Sequence, residues 1–106
     1  MDLGIRAEVG FLARETPFCD PFEVKEHGEP TRTVVGVASK VLGKVPKLDF
    51  HEGPCDSCIL VNQGEVPTLE FGPSGGRLHQ PDEFVDLESV KTTSSFYSEL
   101  IRTLLS

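Results

Sequence analysis

The sequence predicts an α/β fold, a layered sheet with parallel strand pairing and flanking helices. Three observations predict it. Candidate strands and helices alternate in the order strand, helix, strand, helix, strand, helix, and such alternation favours parallel pairing through right-handed crossovers. Ile5, Ala7, Val9 and Phe11 alternate with Arg6, Glu8 and Gly10, the period of a half-buried strand. The stretch 87–105 repeats its apolar residues at spacings of three and four, the period of an amphipathic helix.

Each element has its own signal. The first strand runs over 5–12, and the connector 13–30 follows, broken by Pro17, Pro21, Gly28 and Pro30. Thr31 is a candidate N-cap for a helix over 32–42 with Val34, Val35, Ala38, Val41 and Leu42 on one face. Gly43 takes the position just past the helix that favours glycine, and Pro46 prevents continuation. Residues 47–50 form a short strand and 51–54 a turn. A short helix spans 56–63 and ends at Gly64, with Asp56 as its N-cap or first-turn acid. VPTLEF, residues 66–71, reads as the buried strand and stops at Gly72-Pro73. Residues 74–81 form a loop. Asp86 caps the last helix, whose stripe is Leu87, Val90, Tyr97, Leu100, Ile101, Leu104 and Leu105.

Composition narrows the function. The 106 residues suit one small domain with a thin core. A content of 38% hydrophobic and 25% charged residues is near the globular average and argues against wholesale disorder. The net charge of −7 disfavours binding to nucleic acid phosphates and to anionic membrane surfaces. No apolar run approaches the ~20 residues that span a bilayer, and MDLGIRAEVGF lacks the pattern of a signal peptide. Three cysteines do not make a disulfide framework, so a reducing cytoplasm is the simpler compartment.

Ligands in open α/β sheets bind beyond the carboxyl ends of strands. Two loops leave such ends: HEGPCDSC after 47–50, and GPSGGRLHQPDE after 66–71. CDSC raises redox chemistry, because a helix N-terminus lowers the pKa of the first thiol of a Cys-x-x-Cys. Only eight residues separate Cys58 from Pro67, however, too few for a thioredoxin-like fold. As a zinc site, Cys55 and Cys58 supply two of four ligands, and the spacing of Cys19 and the histidines does not favour completion. Packing as small apolar residues is the simpler reading for these thiols. In the second loop His79 precedes Asp82 and Glu83. A neutral imidazole there could ligate a metal, with a carboxylate orienting its other nitrogen. Spacing alone favours a surface histidine beside an acidic helix start. His27 and His51 read as solvated or hydrogen-bonded.

FGPSGGRLHQPDEFVDLESV resembles the closing motif of the acetylornithine deacetylase, succinyl-diaminopimelate desuccinylase and aminoacylase family of zinc metallopeptidases. GPCDSCILVNQGEVPTLEFG is similar to the family's preceding turn, helix and strand, and PTRTVVGVASKVLGKVP to the helix before that. The likeness covers roughly residues 17–106. It implies a part of a zinc-peptidase-like catalytic domain: 1–16 as the last strand of a lid domain and its linker, and 17–106 as the C-terminal portion of the catalytic domain.

The resemblance also implies site roles. His79 is the metal ligand, on one ion of a two-zinc site that cobalt can also fill. Gly53, Asp56, Gly72, Gly75, Gly76 and Arg77 line the substrate cleft, and Glu83 stands behind the metal ligand. Many members carry an Arg two residues after the Asp of the first loop; Cys58 stands there, so a substrate carboxylate falls to Arg77 or the substrate class differs. The family's His-x-Asp does not occur, and no catalytic residue is assigned. The implied function is the C-terminal segment of a zinc-dependent amidohydrolase acting on N-acyl amino acids or small peptides, silent alone, in the cytoplasm. The implied partners are a small-molecule N-acyl amino acid and the missing N-terminal portion, or a second copy of the chain. Two other readings stand beside it. One is a free-standing non-catalytic α/β association module; the other is a Cys-x-x-Cys thiol redox module.

Overall fold

The computed structural model describes residues 4–11 and 19–106. Helix α1 spans Glu29–Leu42, α2 Ser57–Asn62 and α3 Leu87–Leu105, with a two-residue ladder of β1 (Gly75–Gly76) and β2 (Phe84–Val85) before α3.

Helix α1 begins three residues earlier than a Thr31 cap predicts. Gly28 takes the N-cap position, and Pro30 sits in the first turn, where a missing N–H costs nothing. The Thr31 hydroxyl instead donates to the Lys25 carbonyl at 2.7 Å, from a buried position. The C-terminus ends as expected: Gly43 adopts φ 73°, and its N–H donates to Ser39 O at 2.9 Å. Asp56 occupies the N-cap of α2 but its side chain makes no cap bond. In α3 the Asp86 carboxylate accepts from the Glu88 N–H at 3.0 Å, which satisfies one orphan donor of the first turn.

The core lies between α1 and α3. Val37, Ala38 and Phe96 are buried, with Val34, Val41, Leu42, Phe71 and Leu100 packed against them. Phe71 stacks on Phe96 at a centroid distance of 4.0 Å, and Tyr97 meets Phe96 edge-on at 5.0 Å. The Tyr97 hydroxyl donates to Phe71 O at 2.6 Å. This stack pins residues 65–72 to α3. Lys40 pairs with Glu99 across the two helices. Val37 takes the inward position expected for Val35. On α3, Leu100 points inward with Phe96, while Leu87, Ile101, Leu104 and Leu105 are exposed. That apolar stripe is wider than one helix can cover.

The parallel layered sheet is not seen among the described residues. Segments 47–50 and 66–71 are extended chain without a ladder, and 5–11 is exposed and assigned to no strand. A regular strand needs a hydrogen-bonded neighbour, and among the described residues the ladder that forms is β1–β2. Residue 12 of the first expected strand, and residues 13–18 of the connector after it, lie outside the described residues. The ladder that does form is antiparallel, Gly75 opposite Val85 and Gly76 opposite Phe84, and its first strand lies inside the loop expected over 74–81. The Cα radius of gyration is 19.0 Å, against about 13 Å for a compact chain of similar length. Among the described residues no helix is long and apolar enough to cross a membrane.

Candidate functional site

The first candidate region is the hairpin that carries His79. Strand β1 holds Gly75 and Gly76 because side chains do not fit: a Cβ on Gly75 would overlap the Phe84 carbonyl, and one on Gly76 would lie 2.8 Å from the Phe84 ring. Gly72 and Pro73 lead into it. The hairpin is anchored to α3 through Ser74, whose N–H donates to Ser89 Oγ at 3.0 Å and whose carbonyl accepts from the Asp86 N–H at 2.8 Å. The loop between the strands turns tightly, with the Gln80 N–H donating to Arg77 O at 3.0 Å.

Three residues of that loop that are not glycine, Arg77, His79 and Asp82, have positive φ of 57°, 59° and 62°. Such backbone is uncommon outside glycine and costs about 1–3 kcal/mol per residue. Arg77 Nη1 reaches Asp82 Oδ2 at 3.5 Å across the loop. His79 is thus presented to solvent on a strained, anchored turn. Glu83 lies at the loop's end, exposed. Among the described residues His79 belongs to no group of three metal-ligating side chains. A catalytic zinc takes about three protein ligands. Among the described residues His79 therefore does not by itself make up a zinc site.

The second region is the loop before α2. His51 Nδ1 lies 2.5 Å from Glu70 Oε2, and the buried Ser57 hydroxyl donates to Glu70 Oε1 at 2.9 Å. Hydrogen bonds from the Cys55 thiol, then Ser57, then His51 hold the Glu70 carboxyl below its ordinary value. Ligand atoms of His51, Cys55 and Glu70 all lie within 4.8 Å of one another. Gly53 makes room for the ring: a Cβ there would sit 3.3 Å from His51 Nε2. Asp56 is exposed beside this cluster and outside it. His51 is hydrogen-bonded as its sequence context suggested, whereas nothing in the sequence marked Glu70 or the convergence on Cys55; the only local signal was the spacing of His51 and Cys55 by four in HEGPC.

The cysteines differ from expectation. Cys19 and Cys58 form a disulfide across a sequence separation of 39, with Cα atoms 5.7 Å apart, inside the usual range. Cys55 keeps its thiol. The two cysteines of CDSC are thus not each other's partners, which removes the geometric basis of a Cys-x-x-Cys redox pair. Spacing along the chain could not reveal the long-range pairing of Cys19.

With this geometry in place, the chain can be set beside known proteins. The sequence model of Peptidase family M20/M25/M40 matches residues 7–103. The succinyl-diaminopimelate desuccinylase of Caulobacter vibrioides (strain NA1000 / CB15N) is 31% identical over 101 residues, covering 92% of this chain and 25% of that protein. The protein of the same name from Methylococcus capsulatus is 29% identical over 85 residues, covering 80% of this chain and 22% of its own. That of Caulobacter sp. (strain K31) is 27% identical over 96 residues, covering 87% and 24%. The chain thus spans about a quarter of the length of these relatives. No solved structure matches it.

Proposed function

Because the chain belongs to peptidase family M20/M25/M40, we propose that it serves as the C-terminal portion of a zinc-dependent amidohydrolase. Residues 17–106 supply part of the catalytic domain, and 1–16 the last lid strand and linker. The substrate is an N-acyl amino acid or small peptide. The names of the matched relatives favour a succinylated diamino acid, with acetylornithine the next to test. The compartment is the cytoplasm, in which the Cys19–Cys58 disulfide is an unusual feature.

The observation that carries this reading is the family match over 7–103, which includes the whole strained hairpin. Peptidases of this family are generally metal-dependent, typically on zinc. Zinc, when bound, polarises the scissile amide and lowers the pKa of its water. This chain's own part is positional. His79 gives one neutral imidazole to the metal, and Glu83 stands behind it. Gly72, Gly75 and Gly76 let backbone approach the substrate closely, since no side chain intrudes. Arg77 offers a fixed cation for a substrate carboxylate. Gly53 and Asp56 form the facing part of the cleft.

One ligand does not hold a catalytic zinc, so the chain alone is expected to be silent. The test mixes it with the part of the Caulobacter vibrioides desuccinylase that precedes the matched region. The reading predicts hydrolysis of N-succinyl-diaminopimelate by the mixture alone, abolished by a chelator. A stable complex of the two parts that hydrolyses no N-acyl amino acid contradicts it.

A further inference from the structure

We propose that His51, Cys55 and Glu70 form a metal site of their own, for a zinc-class divalent ion, which clamps the loop before α2 to the segment 65–72. The proposal goes beyond the amidohydrolase reading and does not depend on it, because His79 is not among its ligands.

Three features point to a metal. First, the geometry converges. The ligand atoms lie within 4.8 Å of one another, and tetrahedral zinc sets its N, O and S ligands about 3.3–3.7 Å apart, from bond lengths of about 2.0–2.3 Å. Closing the set therefore takes side-chain movements of about an ångström, and the 2.5 Å contact of His51 Nδ1 with Glu70 Oε2 opens to admit the ion. Second, the donors match. A thiolate, an imidazole and a carboxylate together select zinc, cobalt or a similar ion over magnesium or calcium, which prefer oxygen alone. Third, the carboxylate already has outer support. The buried Ser57 hydroxyl holds Glu70 Oε1 at 2.9 Å, the kind of hydrogen bond that orients a metal-binding carboxylate.

Cys55 is available for this because the disulfide takes Cys58 and Cys19 instead. Gly53 leaves the His51 ring space to swing, since a Cβ there would crowd Nε2. The competing use of the trio is nucleophilic, Cys55 activated by His51. The Cys55 thiol proton is directed toward Glu70, and the His51 ring bonds that same carboxylate rather than the sulfur. Metal binding releases that proton to solvent as the thiolate joins the ion.

Cobalt(II) is the probe. The 106-residue chain, with the Cys19–Cys58 bond closed, is titrated with cobalt chloride and then with zinc chloride. The expected result is a near-ultraviolet sulfur-to-cobalt charge-transfer band that saturates at one equivalent and vanishes as zinc displaces cobalt. Cys55→Ser should remove the band. His51→Gln and Glu70→Gln, both at exposed positions, should each weaken binding by at least about tenfold, the lower bound for losing even a supporting partner. His79→Ala should leave the titration unchanged. Absence of the band from wild-type chain with native circular dichroism overturns the proposal. So does a band that survives Cys55→Ser, or one that His79→Ala weakens as much as His51→Gln does.

Discussion

At the scale of single residues, the hairpin depends on what two glycines leave out. Gly75 faces the Phe84 carbonyl so closely that a Cβ has nowhere to go. Gly75→Ala should therefore open the β1–β2 ladder at a cost of about 1–3 kcal/mol, the range for forced overpacking. Hydrogen exchange reads this directly: the ladder amides should lose protection while the amides of α1 and α3 keep theirs. Unchanged protection at the ladder would show that the hairpin does not rest on this contact. The disulfide gives a second residue-scale prediction. Closing a loop across 39 positions restricts the unfolded chain by about 4 kcal/mol on the loop-entropy estimate. Urea unfolding should move to lower concentration when reductant is added, and coincident curves with and without reductant would refute it.

At the scale of elements, the pair α1 and α3 holds what core there is. Lys40 bonds Glu99 across the interface, with Arg102 at 3.8 Å from the same carboxylate. The Lys40 hydrogen bond, and then its charge, hold the Glu99 carboxyl below its ordinary value. A carboxyl lowered on folding adds stability above its unfolded value of 4.5, and that contribution fades as pH falls through the lower folded value. Glu99→Gln should thus be less stable than wild type at neutral pH, and the difference should shrink toward zero in acid. Thermal melts across that range check it, and a difference that grows in acid would contradict the assignment.

The elements also show what was legible beforehand. Asp86 and Gly43 were readable because caps and left-handed ends are local signals, and α3 spans the residues its period predicts. Thr31 misled because its hydroxyl found Lys25 O rather than a helix amide. Strands at 47–50 and 66–71 were legible as patterns and absent as ladders, since pairing needs a neighbour that no local pattern supplies. His51 and Glu70 stand 19 positions apart, and Cys19 and Cys58 39. Their meeting is a product of the fold, so spacing could not announce it. His79 was found only through the likeness of its motif, for its residue types alone read as surface.

At the scale of the whole molecule, apolar surface is left over. Ile101, Leu104 and Leu105 of α3 are 56%, 63% and 82% exposed, and Val9 and Phe11 more than nine-tenths. An exposed apolar stripe on a helix marks an interaction face. The groove beside it, about 380 Å³, runs between Val34, Pro67, Leu69, Phe71, Leu100 and Leu104. The isolated chain should accordingly associate, and its melting temperature should rise with concentration. A monomer by light scattering, with a high and concentration-independent melting temperature, would count against a surface built to be covered.

The proposed role of His79, held on its strained turn, is to supply one ligand to a metal site shared with the rest of the enzyme. The most direct measurement is the rate of N-succinyl-diaminopimelate hydrolysis, with zinc present, by the chain combined with the preceding part of the Caulobacter vibrioides enzyme. It is made for wild type and for His79→Ala in complexes of equal stability. The expected result is activity for wild type and a loss of at least about a hundredfold for the variant, at or beyond the upper end seen when metal-supporting residues are removed. Equal rates for the two would contradict it.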